Sequence, residues 1–273
     1  MAYKEVLKAI LPRPVLDRIR SRRYWNYAIK ANIRSGRTEF AEWIRSQYGD
    51  RILGGPFKGI QLPSRVLVQH AHFSIPQLLG AYECEIFPWL EELFRNQYER
   101  VVDVGSGNGY YAVCLAGQTG VPVYAYETDQ RMHPICAEMA RLNGVEHLVR
   151  QCTWASQETM HALDGKRCLI LSDCEGYERV LFTAETARWL RRSDLIIELH
   201  DHNAPRGSMH DLLSEKLSKT HTIDFVAFKA NRDLTAFPYL GDIDPSKALK
   251  AITEDTRWPD QEWMLARAQV LST

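Results

Sequence analysis

Val101-Val102-Asp103-Val104-Gly105-Ser106-Gly107-Asn108-Gly109-Tyr110 decides the fold. An apolar run of strand length feeds a glycine turn, and residues 110–117 continue at helical spacing. Open α/β sheets build their ligand sites this way, outside the carboxyl ends of the strands. Working outward, the alternation repeats. Strands are predicted at 121–127, 147–150, 168–173, 194–199 and 221–227, with a candidate last strand at 262–266. Helices are predicted at 134–143, 178–190 and 208–219. Apolar strands spaced by helices predict an α/β fold with a mostly parallel sheet covered on both faces.

Upstream, residues 1–49 read as helices. Trp25, Ala28, Ile29 and Ile33 form one apolar face, Phe40, Trp43 and Ile44 another, and Pro12 and Pro14 break the first helix from the next. Gly54, Gly55 and Pro56 interrupt the chain, and short strands are predicted at 59–62 and 66–68. A helical pattern then runs from Pro76 through Leu78, Leu79, Tyr82, Ile86, Leu90 and Leu93. The expected organisation is a helical extension at 1–52, a strand-rich cap at 53–80 and a main domain at 81–273 with an insertion at 228–259.

The chain has 273 residues, 45% apolar and 25% charged, and 34 basic residues balance 34 acidic ones. That balance argues against a nucleic-acid or membrane-binding field over the whole protein. The first 50 residues nevertheless hold eleven basic and five acidic side chains, an excess of about +6. Such a head suits an anionic partner, a membrane surface or the acidic remainder of its own fold. Cys84, Cys114, Cys136, Cys152, Cys168 and Cys174 form no CxxC pair, so reduced thiols and a cytoplasmic setting are expected. No signal-peptide core and no apolar window of ~18 residues is present, so no transmembrane span is expected.

The glycine spacing is G-x-G-x-G. The dinucleotide pattern G-x-G-x-x-G would need glycine where Tyr110 stands, and no Lys-Ser/Thr follows to make a P-loop. Glu127 lies 22 residues after Gly105 at the end of the second strand, where a carboxylate accepts both hydroxyls of a ribose. Loop and acid together predict an adenosine-containing cofactor, and the loop's form favours S-adenosylmethionine over a nicotinamide. Gly105, Ser106, Gly107 and Asn108 are the expected cofactor loop, with Asp103 anchoring it or facing the ligand's ammonium. Trp154 is read either as a stacking partner for adenine or as packing. Trp25, Trp43, Trp89 and Trp189 are read as packing.

Several of these segments resemble FkbM-type methyltransferases. They are Gly80-Ala81-Tyr82-Glu83-Cys84-Glu85, the glycine loop into Tyr110-Tyr111-Ala112-Val113, Tyr124-Ala125-Tyr126-Glu127, Asn143-Gly144-Val145, and Asp173-Cys174-Glu175-Gly176-Tyr177-Glu178 with Val180-Leu181. The resemblance covers roughly residues 53–200, with Trp263 to Ala266 as a weaker match, and D-x-E-G-x-E is its more discriminating part. It implies a class I methyltransferase (Rossmann-like) sheet of seven strands, the last antiparallel. It also implies methyl transfer to a hydroxyl of a small metabolite or sugar, and it sets Glu83 among the cofactor-binding residues. The basic head lies outside it. A non-catalytic module that binds an anionic partner through that head is the alternative, and a homodimer is compatible with either.

Candidate catalytic residues follow from the strand ends. Asp173 closes the fourth strand and could hold the acceptor hydroxyl or the cofactor rim, whereas Asp173 and Glu178 could also cap the next helix. His200 and Asp201, after the fifth strand, are candidate bases for a hydroxyl proton at neutral pH. Mg²⁺ at Asp173, Asp201 and Asn203 is conceivable, but the set is small and scattered, so no metal is assigned. His70 and His72 would share a face if their stretch were a strand.

Overall fold

The computed structural model describes residues 30, 34, 36–69, 71–201, 207–229, 232–241, 244, 248, 251–252 and 261–269, with only the backbone at 67–69 and 71–72. In chain order the elements are α1 (Arg37–Tyr48), α2 (Ser64–Gln69), α3 (Ala71–Leu78), α4 (Phe87–Leu93), β1 (Arg100–Val104), α5 (Tyr110–Thr119), β2 (Val123–Tyr126), α6 (His133–Leu142), β3 (Val149–Cys152), α7 (Gln157–His161), β4 (Cys168–Ser172), α8 (Glu178–Leu181), α9 (Ala184–Trp189), β5 (Asp194–Leu199), α10 (Ser208–Leu217), β6 (His221–Ala227) and β7 (Glu262–Ala268).

The seven strands form one sheet in the order β3-β2-β1-β4-β5-β7-β6. The first five pair in parallel, and β7 runs antiparallel between β5 and β6. This is the Rossmann-like sheet expected from the sequence. The chain winds outward from β1 to β3, then returns to β4 on the other side of β1. The crevice at that switch point is where such sheets bind ligands.

Strand alternation decides which side chains share a face. Val101, Ala125, Leu169, Leu171 and Ile196 pack on one side with Ile44, Leu79, Leu90 and the buried face of α5. Val102, Val104, Ile170, Leu195 and Ile197 pack on the other with Met160, Phe182, Met209 and Leu213. The alternation therefore carries Asp103, Asp173 and Glu198 on the first face, at or beyond the strand ends.

Three expectations need correction. Val66 lies in helix α2, not in a strand, and it packs against Met132, Ile135 and Phe73. An apolar triplet serves a short helix as well as a strand, and periodicity alone does not separate them. Helix also flanks position 70 on both sides. The face that His70 was expected to share with His72 falls on His70, which lies outside the described residues. Finally, the helix expected at 178–190 is two helices. Phe182 leaves helical geometry, and Thr183 starts α9 with a capping box to Thr186. Trp43 is 42% exposed and stacks on Phe40, so it packs only partly, while Trp89 and Trp189 pack against the core and Trp25 lies outside the described residues.

Candidate functional site

A cleft of about 360 Å³ opens at the carboxyl ends of β1, β2 and β4, lined by residues that include Gly105, Gly107, Glu127, Trp154, Asp173 and Tyr177. This volume is in the range of small-ligand sites. The glycine loop is pinned to β2: the Gly105 and Ser106 amides donate to the Tyr126 carbonyl at 2.9 and 3.0 Å. Gly105 has φ 85°, and a Cβ there would stand 1.7 Å from the Asp173 carbonyl oxygen. Only glycine lets β1 turn so close to the end of β4.

Glu127 braces the same loop. Its Oε2 accepts from the Gly107 amide at 2.9 Å, and its Oε1 accepts from the Asp129 amide at 2.6 Å. The Thr128 hydroxyl also donates to Oε1 at 3.5 Å, and Oε2, with the Gly107 amide alone, keeps further acceptor capacity. Trp154 is 55% exposed, and its ring centroid lies 4.7 Å from that of Tyr177. An apolar face this open at a cleft mouth suits a planar ligand. Ser106 and Asn108 are buried, and neither lines the cleft. Asn108 accepts from the Tyr110 amide at 3.1 Å and donates to Gln77 at 3.1 Å, so its side chain holds the loop to α3.

Asp103 is wholly buried, and neither of its oxygens has a hydrogen-bond partner of good geometry. Burial, then the charges of Asp173 and Glu127, push its pKa well above the usual carboxylate range. A buried acid in this state is relieved by a proton or by a cationic ligand group.

Next to the cleft, the first sheet face carries a crowded acidic cluster. Oxygens of Glu83, Asp173 and Glu198 lie within 4.8 Å of one another. Glu83 is buried and accepts the Tyr111 hydroxyl proton. Glu83 and Glu175 have φ of 52° and 56° and are the non-glycine residues with positive φ among those described. Left-handed backbone at non-glycine positions costs free energy and tends to gather at functional sites. Burial and the Asp173 charge lift Glu198 well above the carboxylate range. Burial also lifts Asp173, against the Glu198 hydrogen bond and the His200 charge, which lower it. Both carboxyls are lifted by burial, Glu198 the more strongly, because the Asp173 charge adds to its shift while His200 opposes that of Asp173.

His200 is buried beside this pair. Its Nδ1 lies 2.8 Å from Glu178 Oε1, and its Nε2 lies 3.5 Å from both Asp173 Oδ1 and Glu198 Oε2. Burial opposes the charged ring, but the Glu178 hydrogen bond and the charges of Asp173, Glu178 and Glu175 outweigh it and raise the pKa to about 9. His200 was expected as a base, and a pKa raised this way favours the charged ring over the neutral one that a base needs. Asp201 is not free for chemistry either. Its oxygens accept from the Gly207 amide at 2.6 Å, the Met209 amide at 2.8 Å and the Ser208 hydroxyl at 3.0 Å, so it caps α10. Of the other two members of the Mg²⁺ set, Asp201 is engaged by the start of α10 and Asn203 lies outside the described residues. Glu198 enters the site as a residue the sequence reading passed over, and Glu178, which it weighed between function and helix capping, enters beside it. Their signal was position: one opens α8, and the other faces the same way as His200, two residues on along β5.

No family model matches this chain, and no curated protein does. Solved structures do match. A putative O-methyltransferase from Klebsiella pneumoniae is 13% identical over 73% of this chain and 89% of its own, with a TM-score of 0.45. The human methyltransferase 10 domain containing protein is 13% identical over 86% and 97%, with a TM-score of 0.46. The O-methyltransferase TomG from Streptomyces achromogenes, solved with SAM, is 13% identical over 66% and 77%, with a TM-score of 0.42.

Proposed function

We propose that this chain is an S-adenosylmethionine-dependent methyltransferase of the FkbM type, acting on a hydroxyl of a small metabolite or sugar. The observation that carries the reading is the cleft itself. A glycine turn with no room for a side chain is braced by the acid that ends β2 and faced by an exposed tryptophan. The donor fits these residues group by group. Glu127 would take the ribose hydroxyls and Trp154 with Tyr177 the adenine, while Asp103 and Glu83, both buried and outside the cleft lining, would favour the ammonium by charge rather than by contact. When bound, S-adenosylmethionine supplies a methyl group on a positively charged sulfur.

The protein's own task is to align the acceptor, exclude water and remove one proton. Asp173 reaches both spaces, since it lines the cleft and belongs to the acidic cluster. The test is to incubate the protein with methyl-labelled donor and a panel of sugars, polyols and hydroxylated metabolites. Label should appear as an ether on one acceptor class, with stoichiometric S-adenosylhomocysteine. Label on carbon or nitrogen would reassign the acceptor atom. No transfer from a protein that binds the donor would favour the non-catalytic alternative.

A further inference from the structure

We propose that Glu178 is a positioning residue: it grips His200 by Nδ1 so that Nε2 faces Asp173, leaving Asp173, not His200, to receive the acceptor's proton. The inference rests on the methyl-transfer reading for its use, and on the geometry below for its substance.

Glu178 is wholly buried at the start of α8, a place of no packing value for a carboxylate. Its Oε1 accepts from the Cys174 amide at 3.1 Å and meets His200 Nδ1 at 2.8 Å, while its Oε2 has no partner. One buried carboxylate is thus committed to one imidazole nitrogen. The tautomer follows from that bond: Nδ1 carries a proton toward Glu178, and Nε2 turns to the other side of the ring. There it meets Asp173 and Glu198 at 3.5 Å, Glu175 at 4.0 Å and the Gln261 side-chain amide at 3.3 Å, which accepts from a protonated Nε2 only through its oxygen. These groups, from β4 and the loop after it, from β5 and from the start of β7, surround the ring.

His200 Nε2 lies 3.5 Å from Asp173 Oδ1, and an oxygen of Glu198 lies within 4.8 Å of one of Asp173. The His200 charge and the Glu198 hydrogen bond favour the ionised form of Asp173, while burial, the larger effect, works against it. Asp173 stays a quarter exposed to the cleft, and His200 is 4% exposed. The acceptor's hydroxyl oxygen gains the methyl as it releases its proton, and the Asp173 carboxylate takes that proton. Donor sulfur leaves neutral, so charge and atoms balance.

The test separates this role from simple packing. Histidine side-chain nitrogens are followed by NMR against pH in the cofactor-free protein, so the outcome does not depend on whether methyl transfer occurs. In the native chain His200 should be doubly protonated at pH 7 and titrate near pH 9. In Glu178→Gln, which keeps the shape and an acceptor oxygen but not the charge, the midpoint should fall by at least one pH unit, about tenfold in proton affinity. Turnover should then decline at correspondingly lower pH. A neutral His200 at pH 7 in the native protein overturns the proposal without any variant, which covers the case of a Glu178→Gln protein that fails to fold. A folded Glu178→Gln with an unmoved midpoint, or with turnover lowered equally at every pH, overturns it as well.

Discussion

Gly105, Trp154 and Asp201 show how differently single residues at one site are expected to respond. Alanine at Gly105 must hold φ 85° and push a Cβ into the Asp173 carbonyl. It should cost about 2 kcal/mol or more in denaturant unfolding, and donor binding with it. Trp154 is more than half exposed, so Trp154→Ala should leave stability within about 0.5 kcal/mol. Base–aromatic stacking contributes about 1–3 kcal/mol, so the same change should weaken donor binding roughly tenfold or more in calorimetry. Asp201→Ala should do the reverse. It removes a cap worth about 1 kcal/mol from α10, lowering thermal stability while donor affinity stays as it was. Loss of donor affinity in Asp201→Ala with an unchanged melt would restore this residue to the site.

Among the elements, α1 tests whether the amino-terminal helical region folds as part of the main body. Ile44 and Ala41 on α1 are buried in the same core as Leu79, Tyr111 and the first sheet face, although the sequence placed them in a separate extension. Ile44→Ala should therefore lower the single unfolding transition by about 2–5 kcal/mol, as for other deletions in a packed core. A separate early transition with the main one unmoved would mean that α1 is an independent unit. The sheet elements were legible because continuous apolar runs bounded by glycine and charge have few other readings. The short helices were not. Val66 fits strand and helix equally, and the break between α8 and α9 depends on Thr183 capping with Thr186, a local bond hidden inside an apolar, helix-like stretch.

For the whole molecule, the concentration of carboxyls on one sheet face sets a pH dependence. Asp103 and Glu198 have folded-state pKa values raised by burial, above the ~4 of the unfolded chain. Below about pH 4 both states hold these protons and no penalty arises. As pH climbs above that, the folded protein keeps protons that the unfolded chain releases, so each group subtracts stability, by up to about 1.4 kcal/mol per pH unit. Asp103→Asn removes one such group, so its stability relative to the native chain should improve as pH rises above about 4 in urea unfolding. A constant difference would mean that Asp103 titrates normally. The cluster was only half legible beforehand. Asp103, Glu127, Asp173 and His200 stand at strand ends that the sequence marks. Charge states depend instead on neighbours such as Glu178, brought from a different element, and these raise the pKa of the expected base. The claim beneath all of this is that the cleft holds the donor's nucleoside through Glu127. Titration calorimetry of S-adenosylhomocysteine into the native protein and Glu127→Ala tests it most directly. The expected result is saturable one-to-one binding that weakens at least tenfold in the variant; no binding heat in the native protein, or equal affinity in both, would contradict it.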